Sequence, residues 1–365
     1  MSKVQSVKSE FVPQVRAVCL ANYVEVVSQL GVDPYALLRK ARIRPEDLGD
    51  PDSRLAASAV VRLAEDTVRE TRCDALALLM VEPRNFASLG PISLLLQHRG
   101  TLRGAVESLV KHQRLLGDLM DYALDVDGDM ATIRGDILPG YGSRQTVEFA
   151  IGLLFQTLRD LSNGRWQPEC IHFRHSAPAD LRVHKRFYQC PVQFDSDFDG
   201  ITCAAETLEI GNRAANEVMA RHAEQCLELY AGPRPVATVA EQVRRAIFAT
   251  ISRGIVTMDS VADKLSLHPR MLQRLLEKEG ATFAGLLNEI RRELAIRYLG
   301  TSNHSVTDVG LLLGYSTLSS FSRWFTIEFG KSPAVWRAGE RGLPLFERDY
   351  RVQPAKFEAI DPICA

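Results

Sequence analysis

From Val239 to about Ala338 the apolar positions recur every three or four residues, the spacing of helices that bury one face. Thr257 is an N-cap for a helix over Met258–Leu265 in which Val261, Ala262 and Leu265 face inward. Ser266, Leu267 and His268 make a turn, and Pro269 takes the first position of the next helix. There Leu272, Leu275 and Leu276 form the buried stripe, which leaves Arg270, Gln273, Arg274 and Glu277 outward. The same pattern returns: Ser305 caps Val306–Leu313, Gly314 turns the chain, and Ser316 caps a helix over Thr317–Phe329. Phe321, Trp324 and Phe325 point inward there, while Leu318, Ser319, Ser322 and Arg323 are exposed. Val261 matches Val309, Ala262 matches Gly310 and Leu265 matches Leu313. Beyond the turn the offset grows by one, pairing Leu272 with Phe321 and Arg274 with Arg323. Between the units Phe283, Leu286, Leu287, Ile290, Leu294 and Tyr298 predict one spacer helix of about five turns.

The first 230 residues alternate between two periods. Helical spacing predicts elements over Ala17–Leu30, from Pro34 through Ala41, and at Ala56–Thr71, Cys73–Val81, Pro91–His98 and Thr101–Leu119. Period-two alternation over Tyr122–Val126 and Met130–Ile137, joined through Asp127-Gly128, predicts a hairpin. A helix over Thr146–Leu161, a strand at Cys170–Phe173, a short helix over Leu181–Tyr188, a strand at Val192–Phe194 and a helix over Glu217–Tyr230 follow. The implied architecture is an α+β N-terminal domain, with helices over small sheets, followed by an all-α C-terminal domain of two helix-turn-helix units joined by a linker helix. Ala231-Gly232-Pro233-Arg234-Pro235 breaks helical propagation. The expected division is therefore 1–230, a linker at 231–238, a DNA-binding domain at 239–340 and a tail at 341–365.

Composition excludes some classes. Apolar residues make up 46% and charged residues 24% of 365, ordinary for a globular chain able to bury two cores. The longest apolar runs, such as Ala75–Val81, fall far short of the roughly 20 residues a bilayer span needs. The opening Met1-Ser2-Lys3-Val4-Gln5 has no apolar signal core. The seven cysteines are scattered and never spaced as C-x-x-C, which argues for a reducing, cytoplasmic compartment rather than a disulfide framework or zinc cluster. Residues 236–340 hold 13 Lys and Arg against 10 Asp and Glu, a balance of +3 that leaves −4 for the remainder. So mild an excess means that any DNA binding rests on few, placed cations.

Those cations suit base recognition. A guanidinium forks onto guanine O6 and N7, and a glutamine amide pairs with adenine N6 and N7. The stretches Pro269–Leu276, Arg291-Arg292-Glu293-Leu294-Ala295, Val309–Ser316, Phe321–Phe325 and Gly330-Lys331-Ser332-Pro333 resemble the DNA-binding domain of the AraC/XylS family of bacterial transcription regulators. The resemblance implies two recognition helices entering successive major-groove segments about 34 Å apart. By position it makes Arg270, Gln273 and Arg274 base-contact candidates in the first helix, and Leu318, Ser319, Ser322 and Arg323 in the second. Leu318 offers no hydrogen bond, only contact with a thymine methyl. Two departures stand out: His268 replaces the usual serine cap, weakening that helix start, and Gly310 replaces an alanine at a cost of about 1 kcal/mol in helix propensity. Gly100–Ala105, His112–Leu116 and Phe187–Phe194 resemble the arabinose-binding-like sensor domain fused to a subset of these regulators. That likeness implies a small-molecule effector of unknown identity, or subunit contacts.

Three signals point elsewhere. Asp195-Ser196-Asp197-Phe198-Asp199-Gly200 with Glu206 matches a calcium-loop pattern. A strand precedes it where a helix is needed, and Ile201 falls one position early, so a solvated acidic turn is expected. His172 and His175, on a strand and its following turn, would not share a face and are not expected to bind metal. Cys190-Pro191 reverses the reactive order of DNA-repair methyltransferases, so a buried thiol is expected. No catalytic residue, cofactor or metal site is assigned. The chain is expected to be a cytoplasmic, effector-responsive activator that binds double-stranded promoter DNA and RNA polymerase, with a homodimer possible and no membrane association. The alternatives are a repressor or constitutive regulator with a purely dimerising N-terminal domain, and, in another class, a DNA-tethered repair enzyme.

Overall fold

The computed structural model describes residues 12–138, 141–230, 238–251, 254, 256–301 and 304–340. All of the expected linker except Thr238, and the tail 341–365, lie outside the described residues.

The chain opens with β1 (Gln14–Arg16), a 3-10 turn over Ala17–Leu20, α1 (Tyr23–Gln29) and α2 (Pro34–Ala41). One helix was expected over Ala17–Leu30. Asn22, at φ 65°, breaks it, because this left-handed conformation cannot propagate a right-handed helix. The Asp33 carboxylate caps α2 by accepting the Tyr35 amide at 2.9 Å, with Pro34 at the first helical position. β2 (Arg54–Ala56) pairs antiparallel with β1 and leads into α3 (Ala57–Thr71). This two-stranded ribbon was too short to show an alternating pattern. α4 (Leu76–Val81), α5 (Pro91–Gln97) and α6 (Leu102–His112) follow. α6 ends seven residues before the expected Leu119, passing through a 3-10 turn at Gln113–Leu115.

β3 (Met120–Asp127) and β4 (Met130–Ile137) form the expected hairpin, with Asp127 opposite Met130 and Gly128 at φ 55° in the turn. After α7 (Arg144–Leu161) come β5 (Cys170–His172), α8 (Arg182–Tyr188), β6 (Val192–Gln193), β7 (Gly200–Ala204) and α9 (Glu217–Tyr230). The sheet order is β3-β4-β7-β5-β6, antiparallel except for β5 with β6. Its central strand, β7, is the one the sequence concealed. It begins inside the calcium-like stretch, and its inward residues Ile201 and Cys203 are fully buried. Gly200 starts it because a Cβ there would lie 2.4 Å from the Ile133 carbonyl oxygen of β4.

The acidic stretch is only partly solvated, which corrects the expected turn. Asp199 is buried, and its Oδ1 accepts the Arg174 amide at 2.8 Å. The Arg174 guanidinium is itself buried and donates to Asp136 Oδ1 at 2.9 Å and to the Asp197 carbonyl at 3.0 Å. The carboxylates thus serve an internal cation. Cys190 is half-buried rather than buried, and burial pushes its thiol up to about 11. His172 stacks on Phe198, whereas His175 stacks on Phe173 and lies 3.4 Å from Glu148. The two imidazoles therefore have different neighbours.

Two apolar clusters fill the α+β half. One gathers the sheet, α5, α6 and α7; the other gathers α1 to α3. Beside the second lies a cavity of about 160 Å³, walled by α3, α4, α7 and the 3-10 turn at Ala17–Leu20.

The C-terminal half is all helical: α10 (Val239–Ile251), α11 (Met258–Lys264), α12 (Pro269–Lys278), α13 (Phe283–Thr301), α14 (Val306–Leu312), α15 (Leu318–Phe329) and α16 (Pro333–Glu340). Its core is drawn from Val243 to Trp336 alone. Arg245 of α10 reaches Asp121 of β3 at 3.7 Å, a contact between the halves. No described helix is long and apolar enough to cross a membrane.

Candidate nucleic-acid interface

α11 and α14 start alike. Thr257 Oγ1 accepts the Ser260 amide at 3.1 Å and Ser260 Oγ accepts the Thr257 amide at 3.1 Å. Ser305 Oγ accepts the Asp308 amide at 3.1 Å, and Asp308 Oδ2 accepts the Ser305 amide at 3.1 Å. Both are reciprocal caps that satisfy otherwise orphaned amides. The hydrogen bonds from Ser305 hold the Asp308 carboxyl below its ordinary value.

The turns also match bond for bond. Ser266 N donates to Asp263 O and Leu267 N to Ala262 O, both at 2.9 Å. In the second unit Gly314 N donates to Leu311 O at 2.9 Å and Tyr315 N to Gly310 O at 3.0 Å. Both turns pass through a left-handed residue, Ser266 at φ 55° and Gly314 at φ 74°. The sequence alignment of the units is therefore a structural repeat, with the extra residue of the second unit falling after this shared bend.

The recognition-helix starts differ from expectation in detail. His268 does cap α12, its Nδ1 accepting the Arg270 amide at 3.3 Å. The cap of α15 is Thr317, whose Oγ1 accepts the Ser320 amide at 3.2 Å. The sequence pattern places the cap at Ser316, which lies one residue outside. Two adjacent hydroxyl residues, Ser316 and Thr317, left the boundary ambiguous by one.

Leu272 and Leu276 bury α12, with Leu275 half-buried. Phe321 and Phe325 bury α15, with Trp324 half-buried against both. Arg270, Gln273 and Arg274 lie exposed on α12. Gln273 Nε2 donates to Glu277 Oε1 at 3.1 Å, and Arg274 contacts Met271 Sδ at 3.4 Å. On α15 Leu318, Ser319 and Arg323 are exposed, while Ser322 is half-buried, less open than expected. α13 is the single spacer helix expected, 19 residues and therefore about 28 Å long.

Sequence reasoning missed the role of Arg291. It stands 4.3 Å over the Tyr315 ring and its Nε donates to Leu313 O at 3.0 Å, holding the second turn against α13. Burial lowers its affinity for a proton. Also missed was Glu279, whose two oxygens accept the Val239 and Ala240 amides at 2.8 Å and cap α10. Neither role had a local signature, because each partner lies 22 or more residues away.

Two helix-turn-helix units on one spacer helix, each presenting a polar face, define a bipartite DNA-binding regulator. Residues 31–211 match the arabinose-binding domain of AraC transcription regulators, N-terminal, and residues 261–339 match a helix-turn-helix domain. The chain is similar along most of its length to the HTH-type transcriptional regulator VirS of Mycobacterium tuberculosis, with 26% identity covering 89% of this chain and 96% of that one. It is equally similar to the ornithine utilization regulator of Pseudomonas aeruginosa, with 26% identity covering 90% and 97%. Over 89 residues it is 41% identical to the transcriptional activator RhaS of Escherichia coli, which covers 24% of this chain and 32% of that one. The chain belongs to the AraC family of transcription regulators, with an arabinose-binding-like N-terminal domain and a helix-turn-helix C-terminal domain. It is a DNA-binding regulator and not an enzyme.

Proposed function

We propose that this regulator is an effector-responsive activator acting in the cytoplasm, with residues 1–230 as sensor and 239–340 as reader. In this reading α12 and α15 enter successive major-groove segments of one promoter site. Arg270, Gln273 and Arg274 read the first segment, and Leu318, Ser319, Ser322 and Arg323 read the second. The observation that carries it is the repeat itself. Two matched turns each lead into a helix with an exposed polar face, and the spacer between the units is 19 residues, about 28 Å, close to one turn of DNA, about 34 Å. Activation through RNA polymerase is favoured by the likeness of the reader to an activator. A homodimer would double the site. Effector response is favoured by the sensor-type domain and its apolar cavity.

The test begins by selecting a site from random duplexes with the full chain. Arg274→Ala and Arg323→Ala are each expected to lose about 1–3 kcal/mol on that site and to relax preference at different segments. Equal losses on selected and random DNA would leave the two arginines as phosphate anchors and remove the base-reading role. Transcription from a promoter carrying the site then separates activator from repressor.

A further inference from the structure

The cavity in the N-terminal half is walled mainly by apolar side chains, among them Val60, Leu63, Met80, Leu119 and Phe149, with Ser88, Gln113, Gln145 and Thr146 as neutral polar neighbours. Two arginines interrupt that wall, and both are buried. Arg16 is neutralised by the Asp52 carboxylate and also donates to the Leu89 carbonyl at 2.8 Å. Arg84 is different. Its Nε donates to Met80 O at 3.0 Å and its Nη1 to Val18 O at 2.9 Å. Its Nη2 donates to Cys19 O at 2.9 Å and to Ala21 O at 2.6 Å. The Phe149 ring centre lies 4.9 Å away. Among the described residues no carboxylate stands within ion-pairing distance of Arg84, and one of its five N–H groups has no partner.

A guanidinium is always charged in water and costly to hold in apolar surroundings without an anion. Carbonyl dipoles relieve part of that cost, and burial still draws the Arg84 pKa down to about 10. A mostly apolar wall with one uncompensated cation calls for a ligand of the complementary build. Size narrows it further: an apolar cavity of roughly 150 Å³ holds one benzene ring, and this one measures about 160 Å³.

We propose that the cavity is a ligand site for a small apolar monocarboxylate, its carboxylate on Arg84 and its hydrocarbon body against Val60, Leu63, Met80 and Phe149. The regulatory consequence rests on the effector-responsive reading above. Three of the four carbonyls that hold Arg84 belong to the segment following β1, so a carboxylate competing for the guanidinium acts on that segment. The cavity wall also runs through Leu119, Met120 and Tyr122, and Asp121 between them pairs with Arg245 of the reader half.

The test uses the full chain with cyclohexanecarboxylate and hexanoate as probes, and cyclohexanecarboxamide and methylcyclohexane as neutral counterparts. Calorimetry and thermal shift at pH 7.5 are expected to show saturable binding of the acids, at least tenfold tighter than either neutral compound. Arg84→Met is expected to abolish the preference for acid over amide. Because that variant also loses four structural hydrogen bonds, Ala64→Leu, which fills the cavity, serves as a second, and is expected to abolish acid binding while leaving melting unchanged or raised. Methylcyclohexane binding as tightly as the acid would overturn the anionic requirement, and unaltered acid binding by Ala64→Leu would overturn the location. Failure of both acids to bind overturns the proposal outright. Affinity for the selected DNA site, measured with and without each probe, tests the other reading separately. Acid binding that leaves DNA affinity unchanged removes the effector role but keeps the site. A DNA response to some other compound from a metabolite panel, with no acid binding, does the reverse.

Discussion

The two helix-turn-helix units share caps, bends and hydrogen bonds, yet they are stabilised by different means. The first packs α12 through leucines, Leu272 and Leu276. The second packs α15 through rings: Phe321, Trp324 and Phe325 meet Tyr315, Phe329 and Trp336 at centroid separations from 4.3 to 6.2 Å. The second bend is further held by Arg291, and its left-handed residue is glycine where the first unit strains a serine. The lesson is that a duplicated reader conserves the geometry of the bend while its packing and anchoring diverge. The exposed faces diverge too, cationic on α12 and mostly hydroxyl and apolar on α15.

The largest expected effect tests the aromatic packing. Phe321→Ala removes a fully buried ring and is expected to cost about 3–5 kcal/mol. Hydrogen exchange should then show α14 and α15 opened while α11 and α12 stay protected; equal loss in both units would mean that they unfold as one. Next, Arg291→Met removes a bond to Leu313 O and the stacking on Tyr315. A loss of about 2 kcal/mol is expected in chemical denaturation, with footprinting on the selected site weakened on the α15 segment first.

The bend residues come third. Gly314→Ala forces a Cβ into the left-handed region and to 3.0 Å from Gly254 O, at an expected cost of about 1–2 kcal/mol. Ser266→Gly, at the matching position, should instead gain about 0.5–1 kcal/mol, since strain relief exceeds the added entropy of the unfolded chain. Opposite signs in thermal melts sustain the equivalence of the two bends.

The smallest effect concerns pH. The cap of α14 uses Asp308 where α11 uses Ser260. The Asp308 carboxyl is held below its ordinary 3.8 by Ser305, so its contribution is present above that value and lost as pH falls through the lower folded value. Acidification below 3.8 should therefore reduce protection of α14 more than of α11, and Asp308→Ser should erase that difference.

Most of the reader was legible because its signals are local. A cap, a bend and a three- or four-residue apolar stripe all lie within about ten residues, and the repeat checked each against the other. Where it misled, the ambiguity was chemical: either Ser316 or Thr317 can cap, and an imidazole nitrogen was undervalued as an acceptor at His268. The sheet was harder. β7 lies between β4 and β5 but is only five residues long, and it opens within a run of aspartates that matched a metal-binding pattern. What exposed the mismatch was the early placement of Ile201, which is the inward residue of that strand. The cavity left no trace in the sequence. Its wall comes from segments more than a hundred residues apart, and nothing around Pro83-Arg84-Asn85 distinguishes a buried guanidinium from a solvated one.

Glu279 gives the molecule a direction. By capping α10 it fixes the entry of the reader beside the α12 end of the spacer, so the chain arriving from the sensor joins at one extremity of the bipartite site. On the proposed reading, the covalent entry into the reader lies beside the segment read by α12 rather than the one read by α15. On that reading, an inverted site would turn the regulator end for end on the DNA, making orientation as well as sequence part of what it recognises.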